Sequence, residues 1–311
     1  MNLKKEEFVN LHGHSCFSLF DGFGFPQEHM DFAYENGSRA LALTDHGSMN
    51  GLSYQLLRAK EMKAEGKDFK PIFGVEAYYI DSLEEWQTLR NEIAADKKRA
   101  KEIDKSDSAM VVEDEQRNDK RALGRKRHIV LLAQNQKGLE NIYEMVSKSY
   151  SGDYFYRKPR IDWELLKKHQ EGVIVATACL GGIAAGSMWK KQEEGEDAIV
   201  EDMIANLTKF RDTFGDRFYA ELQWNNIPEQ HLLNRCLIKV AKQLDIKLIS
   251  TCDSHYPTPD AWKDREVYKR LGWLGKMPEW MDDNIPESVE EIGYELYPKN
   301  AQEMYESYRR Y

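Results

Sequence analysis

Phe8-Val9-Asn10-Leu11-His12-Gly13-His14-Ser15 is the stretch on which the fold turns. Phe8 to Leu11 reads as a short buried strand that runs straight into two histidines spaced i, i+2. Side chains along a strand point to alternate faces, so His12 and His14 project to one side, a few ångströms apart. Two imidazoles aimed together make half of a metal site, since neutral imidazole suits zinc, manganese and iron. Two strand-end histidines making ordinary hydrogen bonds would look the same in isolation. The later strands decide between the two.

Outward from that stretch, Asp21-Gly22 lies in a glycine-rich loop, and Gln27 to Asn36 has helical character with Gly37 as its C-cap. A second strand, Arg39 to Leu43, closes on Thr44-Asp45-His46-Gly47. A helix from Asn50 to Ala64 leads to a third strand, Pro71 to Val75, which delivers Glu76. Later strands are His128 to Ala133, Gly172 to Thr177 leading to Cys179, Arg217 to Leu222, and Lys247 to Thr251. Lys137 to Ser149, Gly182 to Trp189, Asp197 to Phe214 and Pro228 to Leu244 read as helices between them. That alternation predicts parallel strands with crossover helices.

The last strand ends in Cys252-Asp253-Ser254-His255, so Asp253 and His255 repeat the i, i+2 geometry of His12 and His14. In a parallel barrel the carboxyl ends of all strands gather on one rim, where active sites are built. His12, His14, Asp21, His46, Glu76, His128, Cys179, Asp253 and His255 would converge there. Five of the eight histidines fall in these positions; His29, His169 and His231 lie on helices and read as surface or packing residues.

Composition bounds the rest. A chain of 311 residues, 41% hydrophobic and 11% aromatic, buries a sizeable core. A net charge of −9 is unlike that of a general nucleic-acid binder, although bound divalent ions would add local positive charge outside that count. The four cysteines show no Cys-x-x-Cys spacing and no signal peptide precedes them, which predicts a reducing cytoplasm. Gly172 to Gly186 is too short and too rich in glycine and alanine to span a bilayer, so no membrane association is expected.

Residues 81–127 break the pattern, with 24 charged residues in 47, 12 of each sign. Glu84 to Ile103 suits a solvated helix, and Asp104 to Gly124 suits a mobile loop, so the segment reads as an insertion. Two basic clusters could hold an anionic substrate. Lys158 and Arg160 follow Tyr154-Phe155-Tyr156-Arg157 and offer phosphate contacts beside stacking faces, or else form a solvated loop with aromatics packed on the barrel. Arg125-Lys126-Arg127 precede His128 and could line the rim, or be a solvated charge run.

Taken in order, His12-x-His14, Asp21, Thr44-Asp45-His46-Gly47, Gly74-Val75-Glu76, His128, Cys179 and Asp253-x-His255 resemble the motifs of the polymerase and histidinol phosphatase (PHP) family. More narrowly, Val9 to Gly22, Ala40 to Gly51, Lys70 to Tyr78, Tyr156 to Leu166 and Thr251 to Tyr256 are similar to the N-terminal PHP domains of bacterial replicative DNA polymerase III alpha subunits. The resemblance implies an α/β fold, a distorted TIM-like (β/α)7 barrel over residues 1–285, with 286–311 resembling the connection to a polymerase core. It implies two to three divalent metal ions, zinc, manganese or iron. One ion would take His12, His14, Glu76 and Asp253; a second Asp21, His46 and His255; a third Glu76, His128 and Cys179, with Glu76 bridging. Glu76, Asp21 and His255 would be the catalytic residues, and Lys158 and Arg160 the substrate contacts.

The activity implied is phosphoesterase chemistry on DNA, as a single strand or a primer 3′ end: a 3′-5′ proofreading exonuclease beside a DNA polymerase core, in cis or in trans. A non-catalytic, metal-stabilised scaffold for a polymerase and a stand-alone phosphatase of the histidinol phosphatase type are the alternatives. Polymerisation itself needs carboxylates for two metals, typically an Asp-x-Asp pair, and none occurs in the chain.

Overall fold

The computed structural model of the chain describes residues 3–103, 119, 122–273 and 284–310, with side chains throughout these except at 97–103. Seven strands form one curled sheet: β1 (Ala40–Leu43), β2 (Lys70–Ile80), β3 (Arg127–Ala133), β4 (Ile161–Asp162), β5 (Val173–Ala176), β6 (Phe218–Gln223) and β7 (Lys247–Thr251). Their order is β1-β2-β3-β5-β6-β7, and β4 pairs with the far end of β2. Helices Ile183–Lys191, Glu196–Phe214 and Pro228–Leu244 pack outside it, burying Met188, Met203, Leu207, Phe210, Leu237 and Val240 against Val175, Phe218 and Ala220. Pro228 starts the last of these without loss, because the first-turn N–H has no intrahelical partner anyway. The result is a TIM-like α/β barrel built as a curled sheet.

Four expectations are corrected. Phe8 to Leu11 is not a regular strand; the segment is held by two isolated bridges, Asn10 to Leu41 and Gly13 to Ser254, which link the two edges of the sheet. The reason is the buried Asn10 side chain. Its Oδ1 accepts from Cys252 N at 2.9 Å and its Nδ2 donates to His12 O at 2.7 Å, taking places that a ladder would fill.

The strands are not all parallel. β1–β2, β5–β6 and β6–β7 are parallel, but β3 runs antiparallel to both β2 and β5. A residue that opens a strand would sit on the wrong rim of an all-parallel barrel; reversal of β3 puts His128 on the same rim as Glu76. β2 also continues to Ile80, because the antiparallel register Gly74↔Leu132 to Tyr79↔Arg127 extends its ladder, so Glu76 lies inside the strand and not at its end.

The charged segment joins these two antiparallel neighbours. Its helix Leu83–Ile103 is not simply solvated: Trp86 is buried with Ile80 and Leu123, and Trp86 Nε1 donates to Leu123 O at 3.0 Å. Most of the expected mobile loop, 104–118 and 120–121, lies outside the described residues.

Inside the curl, Ala42, Val130, Leu132 and Ala176 form a small apolar cluster below the rim. An apolar cavity of about 540 Å³, lined by Pro71, Ile72, Leu132 and Ile174 among others, opens at the end opposite the histidines. Beyond β7, Leu296 and Tyr297 are buried with Tyr256, and Leu296 O accepts from His255 N at 2.6 Å. The C-terminal segment therefore braces the backbone that carries His255. Among the described residues, no helix is long and apolar enough to cross a membrane.

Candidate metal centre

The rim gathers all nine expected donors. His12, His14 and Glu76 are buried, at 0%, 0% and 1% exposure, and Asp253 at 7%. His12 Nε2 and His14 Nε2 are 3.2 Å apart, and each stands 3.3 Å from Asp253 Oδ1. Glu76 Oε1 is 3.3 Å from His12 Nε2, and Oε2 is 3.4 Å from His14 Nε2. Donors about 2.0–2.2 Å from a tetrahedral ion stand roughly 3.3–3.6 Å from one another. These four side chains thus already have nearly the edge lengths of a coordination tetrahedron.

Two further groupings adjoin the first. Asp21 Oδ2 is 3.1 Å from His46 Nε2 and 3.5 Å from His255 Nε2. His128 Nδ1 is 3.0 Å from Glu76 Oε1, and Cys179 Sγ lies 3.7 Å from that oxygen and 3.8 Å from His128 Nδ1. Glu76 touches both outer groupings, since His46 Nδ1 is 2.6 Å from Oε2. Yet His46 Nδ1, Glu76 Oε2 and Asp253 Oδ1 are buried with no hydrogen-bond partner among the described residues. Close approach of orphaned donor atoms without hydrogen-bond geometry is what a set of cation ligands looks like, and the nitrogen, oxygen and sulfur mix fits a borderline transition metal better than magnesium.

The electrostatics point the same way. Burial, reinforced by His46 and His255, pushes the His14 imidazole down to about 3, leaving its lone pair free at neutral pH. Burial also works against a charged His46, but Glu76 and Asp21 outweigh it and raise the ring to about 10. Glu76 is driven up by burial yet held well below the usual carboxylate range by His128, His46 and His12. A proton on His46 thus does part of the balancing that a divalent ion would otherwise do. Burial, with Glu76 and Asp253 adding to it, pushes the Cys179 thiol well up, so a thiolate there needs a cation beside it.

A supporting layer escaped the sequence reading. His12 Nδ1 is 2.7 Å from Glu221 Oε1, on β6, and that oxygen also accepts from Thr251 Oγ1 at 2.5 Å. His14 Nδ1 is 2.9 Å from Ser18 Oγ, which donates to the buried Asp45 at 2.8 Å. His255 Nδ1 faces Asp253 O at 2.7 Å. All three rings are held by Nδ1 and present Nε2 to the centre, the arrangement by which outer partners set tautomer and basicity. Arg265, buried, donates to Asp21 Oδ1 at 2.5 Å and turns Oδ2 toward His46 and His255. Glu221 had one legible signal, a carboxylate on an apolar strand; Arg265 lies on a helix distant in sequence and had none.

Glu221→Gln keeps the shape but removes the charge behind His12. Metal affinity is expected to fall about 10- to 100-fold, measured by competition with a chromogenic chelator; an unchanged dissociation constant would refute this role.

The two expected substrate residues part company. Lys158 is exposed, whereas Arg160 is 1% exposed and its guanidinium donates to the carbonyls of Tyr156, Lys158 and Leu123. Arg160 also lies over the Trp86 and Tyr156 rings, so it braces the loop and is corrected from substrate contact to structural strut.

Residues 10–225 match the PHP domain family. The chain is 38% identical over 293 residues to DNA polymerase III subunit alpha of Aquifex aeolicus and 30% identical over 303 residues to that of Borreliella burgdorferi, matching 93% and 97% of this chain. It spans only 22% of the length of each of these relatives. A histidinol phosphate phosphatase from Lactococcus lactis, solved with zinc, L-histidinol and phosphate, superposes with a TM-score of 0.39 at 13% identity, covering 88% of this chain and 95% of that one. With its motifs gathered on one rim and the family match spanning most of the barrel, the chain belongs to the PHP domain family.

Proposed function

We propose that this chain is a metal-dependent phosphoesterase domain that hydrolyses DNA ends, as a 3′-5′ exonuclease serving a DNA polymerase core. The observation that carries it is the set of nine donor side chains, several orphaned and buried, at coordination spacing on one rim. His12, His14, Glu76 and Asp253 would hold one ion, Asp21, His46 and His255 a second, and Glu76, His128 and Cys179 a third. Such ions, zinc, manganese or iron, supply Lewis-acid polarisation of a phosphoryl oxygen and a water acidic enough to react at neutral pH.

The chain's own residues organise the rest. Glu76 contributes the shared negative charge at the floor. Asp21, 36% exposed at its side chain, and His255 form the open side where substrate enters; His255 and then Arg265 hold the Asp21 carboxylate below its usual range against burial, and Arg265 orients it. Lys158 stands nearby for the substrate's phosphates. The similarity to polymerase III alpha subunits supports a polymerase core as partner, in cis or in trans, and the bacterial cytoplasm as location. Residues 286–311 would then lead toward that core.

The test is release of nucleotides from a 3′-labelled DNA primer with added manganese, beside turnover of a small phosphate monoester. Nucleotide release by the chain and its loss on chelation are expected. Turnover of the monoester alone would make it a small-molecule phosphatase, and neither activity at full metal content would leave a scaffold.

A further inference from the structure

The loop that follows Gly152 docks directly on the metal motif. Gly47, at φ +60°, lies so close to Pro159 that a Cβ there would meet Pro159 Cγ at 2.7 Å and the Tyr78 ring at 3.2 Å. Tyr78 in turn stacks on His46, with centroids 5.8 Å apart and planes 19° apart, and meets His128 edge-on at 5.3 Å. Two ammonium groups converge on this same ring: Lys126 Nζ at 5.0 Å and Lys158 Nζ at 5.6 Å from its centroid. Lys126 ends the connection from β2 into the reversed strand β3, and Lys158 lies in the basic loop before β4, 32 positions further on.

Like charges drawn to one spot repel, and the face of the Tyr78 ring offsets that only in part. Among the described residues, neither ammonium has a carboxylate within 4.0 Å, although the chain as a whole carries a net −9. Lys126 is half-buried. In the same loop, three positions before Lys158, Phe155 is exposed and stacks on exposed Tyr150 at 6.0 Å, with planes 26° apart. Paired cations next to an exposed aromatic platform match the needs of single-stranded nucleic acid, whose backbone is anionic and whose bases have a π-face.

We propose that Lys126 and Lys158 form a phosphate clamp for the strand flanking the reacting ester, one aromatic ring away from His46 and His128. This deepens, and rests on, the phosphoesterase reading above: the substrate is a single-stranded polynucleotide, whose neighbouring phosphates fill the clamp, and not a lone monoester. Each neutralised phosphate on a single strand contributes about 0.7 to the slope of log K against log salt.

The experiment is fluorescence anisotropy of a labelled, phosphorothioate-linked dT12 across a salt series, with the full chain. In K126Q/K158Q the slope is expected to shrink by between about 0.7 and 1.4, roughly a tenfold to sixtyfold loss of affinity at 50 mM salt. The pair Lys239→Gln and Lys242→Gln, on the outer helix Pro228–Leu244, removes the same charge and should leave the slope unchanged. An unchanged slope in K126Q/K158Q, or an equal drop in the control pair, overturns the clamp. Nucleotide release by the wild-type chain is scored separately. A slope that shrinks without any release keeps the clamp and removes the phosphoesterase reading, whereas release with no change of slope does the reverse.

Discussion

Glu76→Gln is expected to remove most of the bound metal and lower phosphoesterase turnover by about 10²- to 10³-fold, since charge stabilisation at such a centre is worth several kcal/mol. The carboxylate is the hub: its two oxygens stand within 3.4 Å of His12, His14, His46 and His128, and one is 3.7 Å from Cys179. Gln keeps the volume and one acceptor but not the negative charge that makes sharing two cations favourable. The barrel should stay folded, because Val75, Ala77 and Tyr79 on the opposite face of β2 pack into the main core independently of Glu76. Metal content by elemental analysis, turnover and far-ultraviolet circular dichroism read the three effects. Loss of turnover at full metal content would assign Glu76 to proton transfer instead. Full turnover at full content would take it out of the centre.

Stripping the metal from the wild-type chain should be the largest change in stability. Buried Glu76 and Asp253 each stand 3.3 Å from His12 Nε2, so without a cation their charge is met by a proton on that ring, which Asp253, Glu221 and Glu76 hold above its usual range against burial. A ligand that binds only the native state adds about 4 kcal/mol when present at 1,000 times its dissociation constant. For a chain of this size that is on the order of 6 °C in Tm. Chelation followed by calorimetry is expected to show such a drop, restored by added zinc or manganese. A Tm that ignores verified removal of the metal would mean that the folded state does not depend on the centre.

Much of the architecture was legible because local signals agreed. Helix Pro228–Leu244 and strand Lys247–Thr251 fall at the bounds that their periodicity and flanking residues indicate. Strand direction was not legible, because β3 has the same apolar run whichever way it points, and its reversal depends on which neighbours it pairs with. Phe8 to Leu11 misled for a related reason: its composition suits a strand, but the buried Asn10 amide satisfies the backbone in place of a ladder. Arg160 misled because a charged residue in a basic loop looks solvent-facing until the carbonyls of Tyr156, Lys158 and Leu123 are found around it.

The sequence by itself determined which side chains are the candidates for the metal centre. His-x-His, Asp-x-His and single donors beside apolar runs carry that information locally, through the alternation of side chains along extended backbone. Only the tertiary structure decided how they meet. His128 reaches the rim because β3 is reversed, and His12 and His14 offer Nε2 because Glu221 and Ser18 hold the opposite nitrogens. Lys126 and Lys158 share one tyrosine ring only because the basic loop folds down onto Gly47. Those outcomes depend on distances between residues far apart in the chain, which no local pattern encodes.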